Sequence, residues 1–227
     1  MSWRSAMAGY RRRPVSDRNP DKRVAAEAAA QLAQDGMRLG LGTGSTVAHL
    51  LPALARRELR DLRCVATSPA TERAARELGL PVEPFDTLDR LDLAIDGADQ
   101  VDPAHWLIKG GGGAHVREKI VATAADRFVV IADSSKVVEA LRPPVPVELL
   151  TFGLPATLRE LAPIAVRNGA ARSPDGGVIA DFAGEVGDPA VLAARLGGHA
   201  GVVGHGLFEP SLVAAVIVGR GERAEEI

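Results

Sequence analysis

The sequence predicts an α/β protein in which helices cover both faces of a parallel sheet and a smaller α+β unit follows. Two observations support this prediction. From residue 20 onward, short apolar segments alternate with amphipathic stretches, which is typical of consecutive strand–helix units. The Pro-rich stretch Arg142-Pro-Pro-Val-Pro146 then marks a boundary, and the hairpin signal Pro174-Asp-Gly-Gly177 lies beyond it.

Size and composition exclude several classes of protein. The chain has 227 residues, enough for one large domain or for a main domain that carries a smaller one. Its net charge of −2 supplies no broad basic field, so we expect no nucleic-acid partner. No apolar stretch reaches the roughly 18 residues of a membrane helix, so we expect no membrane association. The single cysteine, Cys64, lies in an apolar run, which suits a buried thiol in a reducing, cytoplasmic protein.

The first half of the chain shows an opening helix followed by alternating strands and helices. Asn19-Pro20 is a good helix start, because a capping side chain precedes a proline at the first helical position. This helix is predicted to run to about Gln34, with Val24, Ala28 and Leu32 on one face. Apolar runs then predict strands at residues 37–41, 62–67, 91–95 and 128–132. Helices are predicted at residues 47–59, 69–78 and 114–125.

The second half of the chain has a different pattern of predicted strands and helices. A strand is predicted at residues 147–150 and a helix at residues 157–168. Segments around Ala171 and at residues 178–182 flank the turn signal and so predict a hairpin. Asp188-Pro189 then opens a further helix. The last apolar run, at residues 212–218, is predicted to return to the first sheet as a strand.

These patterns divide the chain into three parts. Residues 20–145 together with 212–227 are predicted to form the main domain, and residues 146–211 the small α+β domain. Residues 1–19 are rich in arginine but contain no continuous apolar segment, so they are not a secretory signal. A disordered extension or an early start codon is favoured there over a transit peptide.

The first candidate functional loop is Gly42-Thr-Gly-Ser-Thr46, between a predicted strand and a helix. Ligands of open parallel sheets bind beyond the carboxyl ends of the strands, where such loops converge. Its glycines let the backbone come close to a bound anion, and its hydroxyls and the N–H groups at the start of the helix can donate to a phosphate. No lysine precedes the Ser-Thr pair, so it is not a Walker loop, and it is a poor dinucleotide fingerprint. A plain strand–helix turn is the alternative.

Two further loops supply carboxylates and a lysine. Asp96-Gly-Ala-Asp99 follows a strand, and its carboxylates can hold sugar hydroxyls and move protons to ring oxygens. A polar turn is the alternative, and a calcium loop would need a different spacing of acids. Lys109-Gly-Gly-Gly-Gly113 precedes a helix that carries Glu118, which we interpret as a charge-stabilising pocket with a general base. The alternative is a solvated Glu118 paired with Arg117 or Lys119.

The fourth loop, Asp133-Ser-Ser-Lys136, offers Lys136 either to a phosphate or sugar oxygen or as a cap of the loop. The histidines show no close metal-ligand spacing, so we expect no metal site. His115, in the helix after the glycines, is the one histidine for which a functional role stays open. No serine lies in a nucleophile-elbow context.

Taken together and in order, these motifs resemble ribose-5-phosphate isomerase of the A type. The resemblance extends from about Asp21 to Val218, whereas residues 1–19 match nothing and Gly201 lacks a preceding proline. Any one motif is weak, but the ordered set is highly specific. The matching segments are Gly42-Thr-Gly-Ser-Thr46, Asp96-Gly-Ala-Asp99, Lys109-Gly-Gly-Gly-Gly-Ala114, Arg117-Glu-Lys119, Ala132-Asp-Ser-Ser-Lys136, Pro146-Val-Glu148, Gly201-Val-Val203 and Gly206-Leu-Phe208.

The resemblance implies a Rossmann-like main domain with a small lid domain, and a homodimer or homotetramer without metal or organic cofactor. It implies an aldose–ketose isomerase of the non-oxidative pentose phosphate pathway that interconverts D-ribose 5-phosphate and D-ribulose 5-phosphate. Glu118 takes the place of the catalytic base, and Asp96, Asp99 and Lys109 take those of the other catalytic groups. The substrate-binding positions that it implies are Lys22, Thr43, Gly44, Ser45, Thr46, Gly97, Ala98, Gly110, Gly111, Gly112 and Lys136.

Other classes of function stay open at this point. A sugar-phosphate sensor would need an output module, and residues 1–19 are too short for a DNA-binding domain. An amino-sugar phosphate isomerase would show a different loop pattern, and a coenzyme A transferase would form a thioester on a glutamate. A nicotinamide-dependent dehydrogenase would bind its cofactor.

Overall fold

A computed structural model describes residues 20–169 and 172–227 of the chain. The arginine-rich segment 1–19 and the strand expected around Ala171 therefore lie wholly or partly outside the described residues. Across the described ranges, no helix is both long enough and apolar enough to span a bilayer.

Strands and helices alternate along most of the chain. The strands, numbered along the chain, are β1 (Arg38–Leu41), β2 (Arg63–Ala66), β3 (Leu93–Gly97), β4 (Gln100–Val101), β5 (Leu107–Ile108), β6 (Phe128–Asp133), β7 (Val145–Leu149), β8 (Ile164–Val166), β9 (Val178–Phe182), β10 (Val202–His205), β11 (Leu207–Phe208), β12 (Val213–Arg220) and β13 (Arg223–Glu226). The helices are α1 (Pro20–Ala30), α2 (Val47–Ala55), α3 (Pro69–Glu77), α4 (His115–Thr123), α5 (Leu154–Glu160) and α6 (Pro189–Gly197).

The central sheet has the strand order β13-β12-β6-β3-β1-β2. The strands from β12 to β2 are all parallel, and β13 pairs antiparallel with β12 at one edge. The predicted parallel sheet is therefore confirmed, and the last apolar run returns to it as β12. Strand β13 was not predicted, because the sequence Arg223-Ala-Glu-Glu226 has no apolar alternation.

Both faces of this sheet are buried, because successive residues of a strand enter different apolar clusters. Leu93 and Ile95 of β3 pack in the cluster that contains the buried residues of α1 and α2. Ala94, between them, packs on the opposite side with Val121 of α4 and Phe128. This period of two is what a strand covered on both faces requires. The carboxyl ends of the strands thus lie at one edge, between the two helix layers.

Helix α1 buries a row of alanines, whereas Val24, Ala28 and Leu32 are only half-buried, and of these Ala28 and Leu32 pack against the same apolar cluster. The reason is the close approach of α1 to the sheet. A Cβ on Gly219 would lie 1.9 Å from the carbonyl oxygen of Asp21. Only small side chains fit such an interface at interior packing density. The buried positions of the helix are Ala25, Ala26, Ala29 and Ala30.

A second sheet is antiparallel throughout, with the order β10-β7-β9-β8 and an apolar cluster that includes Val147 and Phe182. The helix predicted at residues 157–168 is wrong, because α5 ends at Glu160 and β8 follows. Pro163 explains the difference, since proline cannot continue a helix and disfavours the helical conformation of the residue before it.

Three short strands form a third sheet in the order β11-β5-β4. β4 lies directly after Asp99, in a stretch for which no strand was predicted. Lys109 follows β5, and its N–H donates to the carbonyl of Gly206 at 2.8 Å. This sheet therefore anchors the start of the glycine loop. The division into a domain of residues 20–145 plus 212–227 and a small lid domain of residues 146–211 stays a prediction.

Candidate active site

The turn after β1 and the end of β3 meet at the carboxyl edge of the central sheet. β1 lies between β2 and β3, so the chain passes from β1 to a neighbour on one side and then crosses to the other. Ligand sites of open α/β sheets form at such a reversal. The Gly42 N–H donates to the Ile95 carbonyl at 3.0 Å, which joins the two segments. Asp96 lies inside β3, one residue before its end, and not in the loop beyond it.

Lys109 lies between two buried carboxylates. Its Nζ is 2.9 Å from Asp96 Oδ2 and 3.1 Å from Glu118 Oε2, and it also donates to the carbonyl of Gly97. The three side chains are only 2–4% exposed. Despite these ion-pair distances, neither Asp96 Oδ2 nor Glu118 Oε2 receives a well-aligned hydrogen bond from a described residue. Two carboxylates therefore share one ammonium group and keep lone pairs available.

Burial and mutual repulsion set the charge of this cluster. Burial and the nearby Asp96 carboxylate raise the pKa of Glu118 to about 8, and the opposing attraction of Lys109 does not cancel them. Burial likewise raises the pKa of Asp96, although Lys109 opposes it. Burial alone would lower the pKa of Lys109, but attraction to the two carboxylates raises it. Glu118 lies in the first turn of α4, where the helix dipole favours an anion, and burial outweighs that effect.

Asp96 is held in one orientation by the turn after β1. Its Oδ1 accepts the N–H of Thr43 at 3.0 Å and that of Gly97 at 2.7 Å, which directs Oδ2 toward Lys109. A Cβ on Gly42 would lie 2.0 Å from Asp96 Cγ. Glycine is therefore required at position 42 by the close approach of the carboxyl group.

The hydroxyl of Thr43 belongs to a network that braces this turn. Its Oγ1 lies 2.8 Å from both Thr67 Oγ1 and Ser68 Oγ, and 3.1 Å from Thr71 Oγ1. The Thr71 hydroxyl donates in turn to the Gly42 carbonyl at 2.9 Å. The sequence patterns did not indicate these hydroxyls, of which Thr67 and Ser68 lie between β2 and α3 and Thr71 lies in α3. The available signal was Ser68 before a helix, where it caps α3 by accepting the N–H of Thr71.

The rest of the turn presents free donors. The N–H groups of Gly44, Ser45 and Thr46 have no acceptor within residues 20–169 and 172–227. Gly44 has a φ of +126°, which other residues rarely adopt. The Nζ of Lys22 donates to Ser45 Oγ at 3.0 Å and lies 3.9 Å from Asp133 Oδ2. A cation, hydroxyls and unpaired N–H groups at the start of α2 together suit an anion.

The glycine loop lies above this turn. A Cβ on Gly112 would lie 3.6 Å from Thr43 Cγ2. The N–H of Gly111 donates to Asp99 Oδ2 at 2.8 Å, and Asp99 is itself fixed by its N–H bond to the Ile108 carbonyl. Asp99 therefore connects the end of β3 to the glycine loop.

Not every predicted residue joins these contacts. Lys136 is half-buried in the turn after β6, and its side chain makes no hydrogen bond or ion pair with a residue that the structure describes. Ala98 is partly buried against an apolar cluster and has no polar side chain. Conversely, Arg167, which follows β8, donates to the glycine loop and is held by Asp181 of β9, and nothing in their local sequence indicated this.

His115 is buried beside the glycine loop. A Cβ on Gly110 would lie 2.7 Å from its Nδ1, so the ring packs directly against the loop backbone. Burial lowers the pKa of His115 to about 3, which keeps the ring neutral near pH 7. Across the described residues, no group of three or more His, Cys, Asp or Glu side chains is placed to hold a metal ion.

Comparison with known proteins gives consistent matches. The family model of ribose 5-phosphate isomerase A (phosphoriboisomerase A) matches residues 63–223. The ribose-5-phosphate isomerase A of Caulobacter vibrioides is 47% identical over 201 residues, which cover 82% of this chain and 88% of the relative.

Solved structures agree with the sequence matches. Ribose 5-phosphate isomerase A from Neisseria gonorrhoeae superposes with a TM-score of 0.86 and 34% identity, covering 91% of this chain and 95% of its own. A D-ribose-5-phosphate isomerase in complex with phospho-erythronic acid superposes with a TM-score of 0.85 and 34% identity, covering 91% of this chain and 96% of its own.

Proposed function

We propose that this chain, which belongs to the ribose 5-phosphate isomerase A family, isomerises its sugar phosphate with Glu118, Lys109 and Asp96 as central groups. The reaction is the aldose–ketose interconversion of ribose 5-phosphate and ribulose 5-phosphate in the pentose phosphate pathway. The observation that supports these roles is the buried cluster in which Lys109 lies 2.9 Å from Asp96 and 3.1 Å from Glu118.

Glu118 is the base. Conversion of the open-chain aldose to the ketose moves one proton from C2 to C1 and one from the C2 hydroxyl to the C1 oxygen. A single carboxylate that reaches both carbons can remove the first proton, leave an enediolate and return the proton to C1. The raised pKa of Glu118, about 8, is closer to neutral pH than that of an ordinary glutamate, as an efficient general base requires.

Lys109 stabilises the charge that grows on the substrate oxygen. It is buried beside the base, where a fixed cation acts more strongly than in water. The N–H groups of the glycine loop add to this effect, and one well-placed donor contributes about 10²- to 10³-fold in rate. Because the Lys109 ammonium already supplies a cation between the two carboxylates, we propose that the reaction needs no metal ion.

Asp96 and Asp99 serve the sugar ring and its hydroxyls. Ribose 5-phosphate is mostly a closed ring, so opening it requires a proton shuttle at the ring oxygen. Asp96 has the buried carboxylate for this step, with a raised pKa that helps it carry a proton. Asp99 lies three residues after Asp96, where it holds the glycine loop, and it binds sugar hydroxyls.

The turn after β1 binds the phosphate. Its free N–H groups at Gly44, Ser45 and Thr46 and the ammonium of Lys22 form an anion site at the start of α2. Lys136, in the turn after β6, is assigned to the phosphate by the family resemblance alone, since its side chain makes no hydrogen bond or ion pair with the turn after β1 in the described part of the chain. Phosphate binding at a distance from the reacting carbons supplies the energy that positions them.

The decisive experiment compares the wild type with Glu118→Gln in an assay of ribulose 5-phosphate formation, after exhaustive treatment with a chelator. We expect turnover to fall by about 10³-fold, because the amide cannot accept the proton. Solvent deuterium should enter C1 of the ketose in the wild type and not in the variant. Glu77→Gln, an exposed glutamate of α3, is the matched control and should behave as the wild type.

Near-normal turnover in Glu118→Gln would refute the role of Glu118. Activity that is lost on chelation and restored by a divalent ion would refute the metal-free mechanism. Full inactivity of the wild type on ribose 5-phosphate would refute the function itself.

We also propose a cytoplasmic homodimer or homotetramer. The family resemblance supports the oligomer, and the free, buried Cys64 is consistent with a reducing compartment. Light scattering coupled to gel filtration measures the oligomeric state, and a monomeric mass would contradict the proposal.

A further inference from the structure

Arg167 connects the second sheet to the glycine loop. Its Nη1 donates to the carbonyl oxygens of Gly110 and Gly111, each at 3.1 Å. Its Nε and Nη2 donate to the two carboxylate oxygens of Asp181, at 2.8 and 2.5 Å. One guanidinium group thus bridges strand β9 and two successive peptide groups of the loop. Its side chain is 15% exposed, so solvent competes little for these bonds.

These bonds fix the orientation of two peptide planes. In a trans peptide, the carbonyl and the N–H of the next residue point to opposite sides. Holding the Gly110 and Gly111 carbonyls toward Arg167 therefore turns the N–H groups of Gly111 and Gly112 away from it. The Gly111 N–H indeed donates to Asp99 Oδ2 at 2.8 Å. The Gly112 N–H has no acceptor in the described part of the chain, and its Cα faces Thr43.

Four consecutive glycines would not hold this arrangement alone. Gly110 and Gly113 have φ values of +106° and +78°, and glycines exchange readily between such conformations and others. A donor assists catalysis only if it is aimed before the charge develops. The loop therefore needs an external group that holds its carbonyls, and Arg167 supplies that group.

We propose that Arg167, held by Asp181, is a positioning residue that aims the Gly111 and Gly112 N–H groups at Asp99 and at the enediolate oxygen. The inference rests on the proposed function, because it gives the glycine loop its task in that reaction. Arginine suits this position better than lysine, since its planar fork donates to a carboxylate and to two carbonyls at once. A lysine has no fixed fork and would keep only part of these contacts.

The test compares Arg167→Met, Arg167→Lys and the matched control Arg90→Met. Arg90 forms an ion pair with Asp126 on the exposed surface, so its loss removes a similar pair away from the site. Four quantities are measured for each protein: kcat and KM for ribose 5-phosphate, the Kd of phospho-erythronic acid, the Kd of inorganic phosphate and the Tm. The carboxylate of phospho-erythronic acid resembles the planar, charged enediolate, whereas inorganic phosphate probes only the anion site.

We expect Arg167→Met to lower kcat by about 10- to 100-fold, with a similar weakening of phospho-erythronic acid binding. Binding of inorganic phosphate should stay at the wild-type value, because the described hydrogen bonds of Arg167 go to Asp181 and to the glycine loop and not to the turn after β1. Arg167→Lys should recover part of kcat, and Arg90→Met should match the wild type in every quantity.

An unchanged kcat in Arg167→Met overturns the inference, even if its Tm falls, because Arg167 would then act on stability alone. Should Arg167→Met fail to fold, the Asp181→Asn variant tests the inference instead. This variant keeps the Arg167 guanidinium group and replaces its partner Asp181 by a side chain of the same shape. A several-fold loss of kcat in Asp181→Asn supports the inference, and wild-type kcat overturns it. Activity of the wild type on ribose 5-phosphate tests the proposed function separately, so the inference about Arg167 can fail while the proposed function holds.

Discussion

Replacing Gly42 by alanine would place a methyl group in the space that the Asp96 carboxyl group occupies. The new Cβ would lie 2.0 Å from Asp96 Cγ and Oδ1, whereas ordinary contacts begin near 3.4 Å. The carboxyl group must therefore move by about 1.4 Å, which is the difference between these two distances. It cannot move freely, because it is buried and bonded to the N–H groups of Thr43 and Gly97.

Such a movement should reduce catalysis strongly. A displacement of about 1 Å in a reacting group costs about 100-fold in rate, so we expect kcat/KM to fall on the order of 10²-fold. Overpacking of this kind also destabilises a fold by about 1–3 kcal/mol, so a lower Tm should accompany the loss. The assay follows ribulose 5-phosphate formation at a temperature where circular dichroism shows that the variant is folded.

Gly197→Ala is the matched control for the Gly42 variant. The Cβ added at position 197 would lie 3.5 Å from His205 Nε2, an ordinary contact, and Gly197 lies in helix α6 far along the chain. We expect wild-type activity there. If folded Gly42→Ala also retained wild-type kcat/KM, the claim that Asp96 acts only in its observed position would be refuted.

Two further outcomes follow from the buried charges. As the pH is lowered, kcat/KM should begin to fall well above pH 4.5. The reason is that burial and Asp96 raise the pKa of Glu118 to about 8, and the protonated carboxyl group cannot accept a proton. A profile that stays flat down to about pH 4.5 would contradict this reasoning. Lys109→Met should lower the free energy of unfolding by about 3–5 kcal/mol near neutral pH, since it leaves two carboxylates buried without a cation. Without Lys109 the pKa values of both carboxyls rise further in the folded state, so the folded form binds protons more tightly than the unfolded form. Urea unfolding should therefore show that the free energy of unfolding of Lys109→Met approaches the wild-type value as the pH falls. A difference from the wild type that does not change with pH would contradict this prediction.

Several features of the fold follow from short stretches of sequence. The alternation of apolar runs and amphipathic stretches predicted the parallel sheet, and it also placed the turn at residues 42–46 at a strand end. The expectation that this turn and Asp96 lie together needed only the rule that loops of neighbouring parallel strands share one edge. The error at residues 157–168 came from weighting apolar spacing above Pro163, which ends the helical region.

Other features could not be read from local patterns. The hydroxyls of Thr67 and Thr71 brace Thr43 only because β2 lies beside β1, and strand order is a property of the whole chain. Arg167 reaches the glycine loop from a position more than 50 residues along the chain, and Asp181 of β9 holds its guanidinium group. Their sequence neighbours contain no motif that would indicate the contact.

The chemical groups and their local setting were readable from the residues in order: glycines at the turns, a carboxylate at the end of a strand, a glutamate at the start of a helix. Their ionisation was not. A glutamate in a first helical turn is expected to have a lowered pKa. The packed protein raises the pKa of Glu118 instead, because distant segments exclude water and place Asp96 nearby. Desolvation and repulsion depend on which residues meet in space, and that is decided by the packing of segments far apart in the chain.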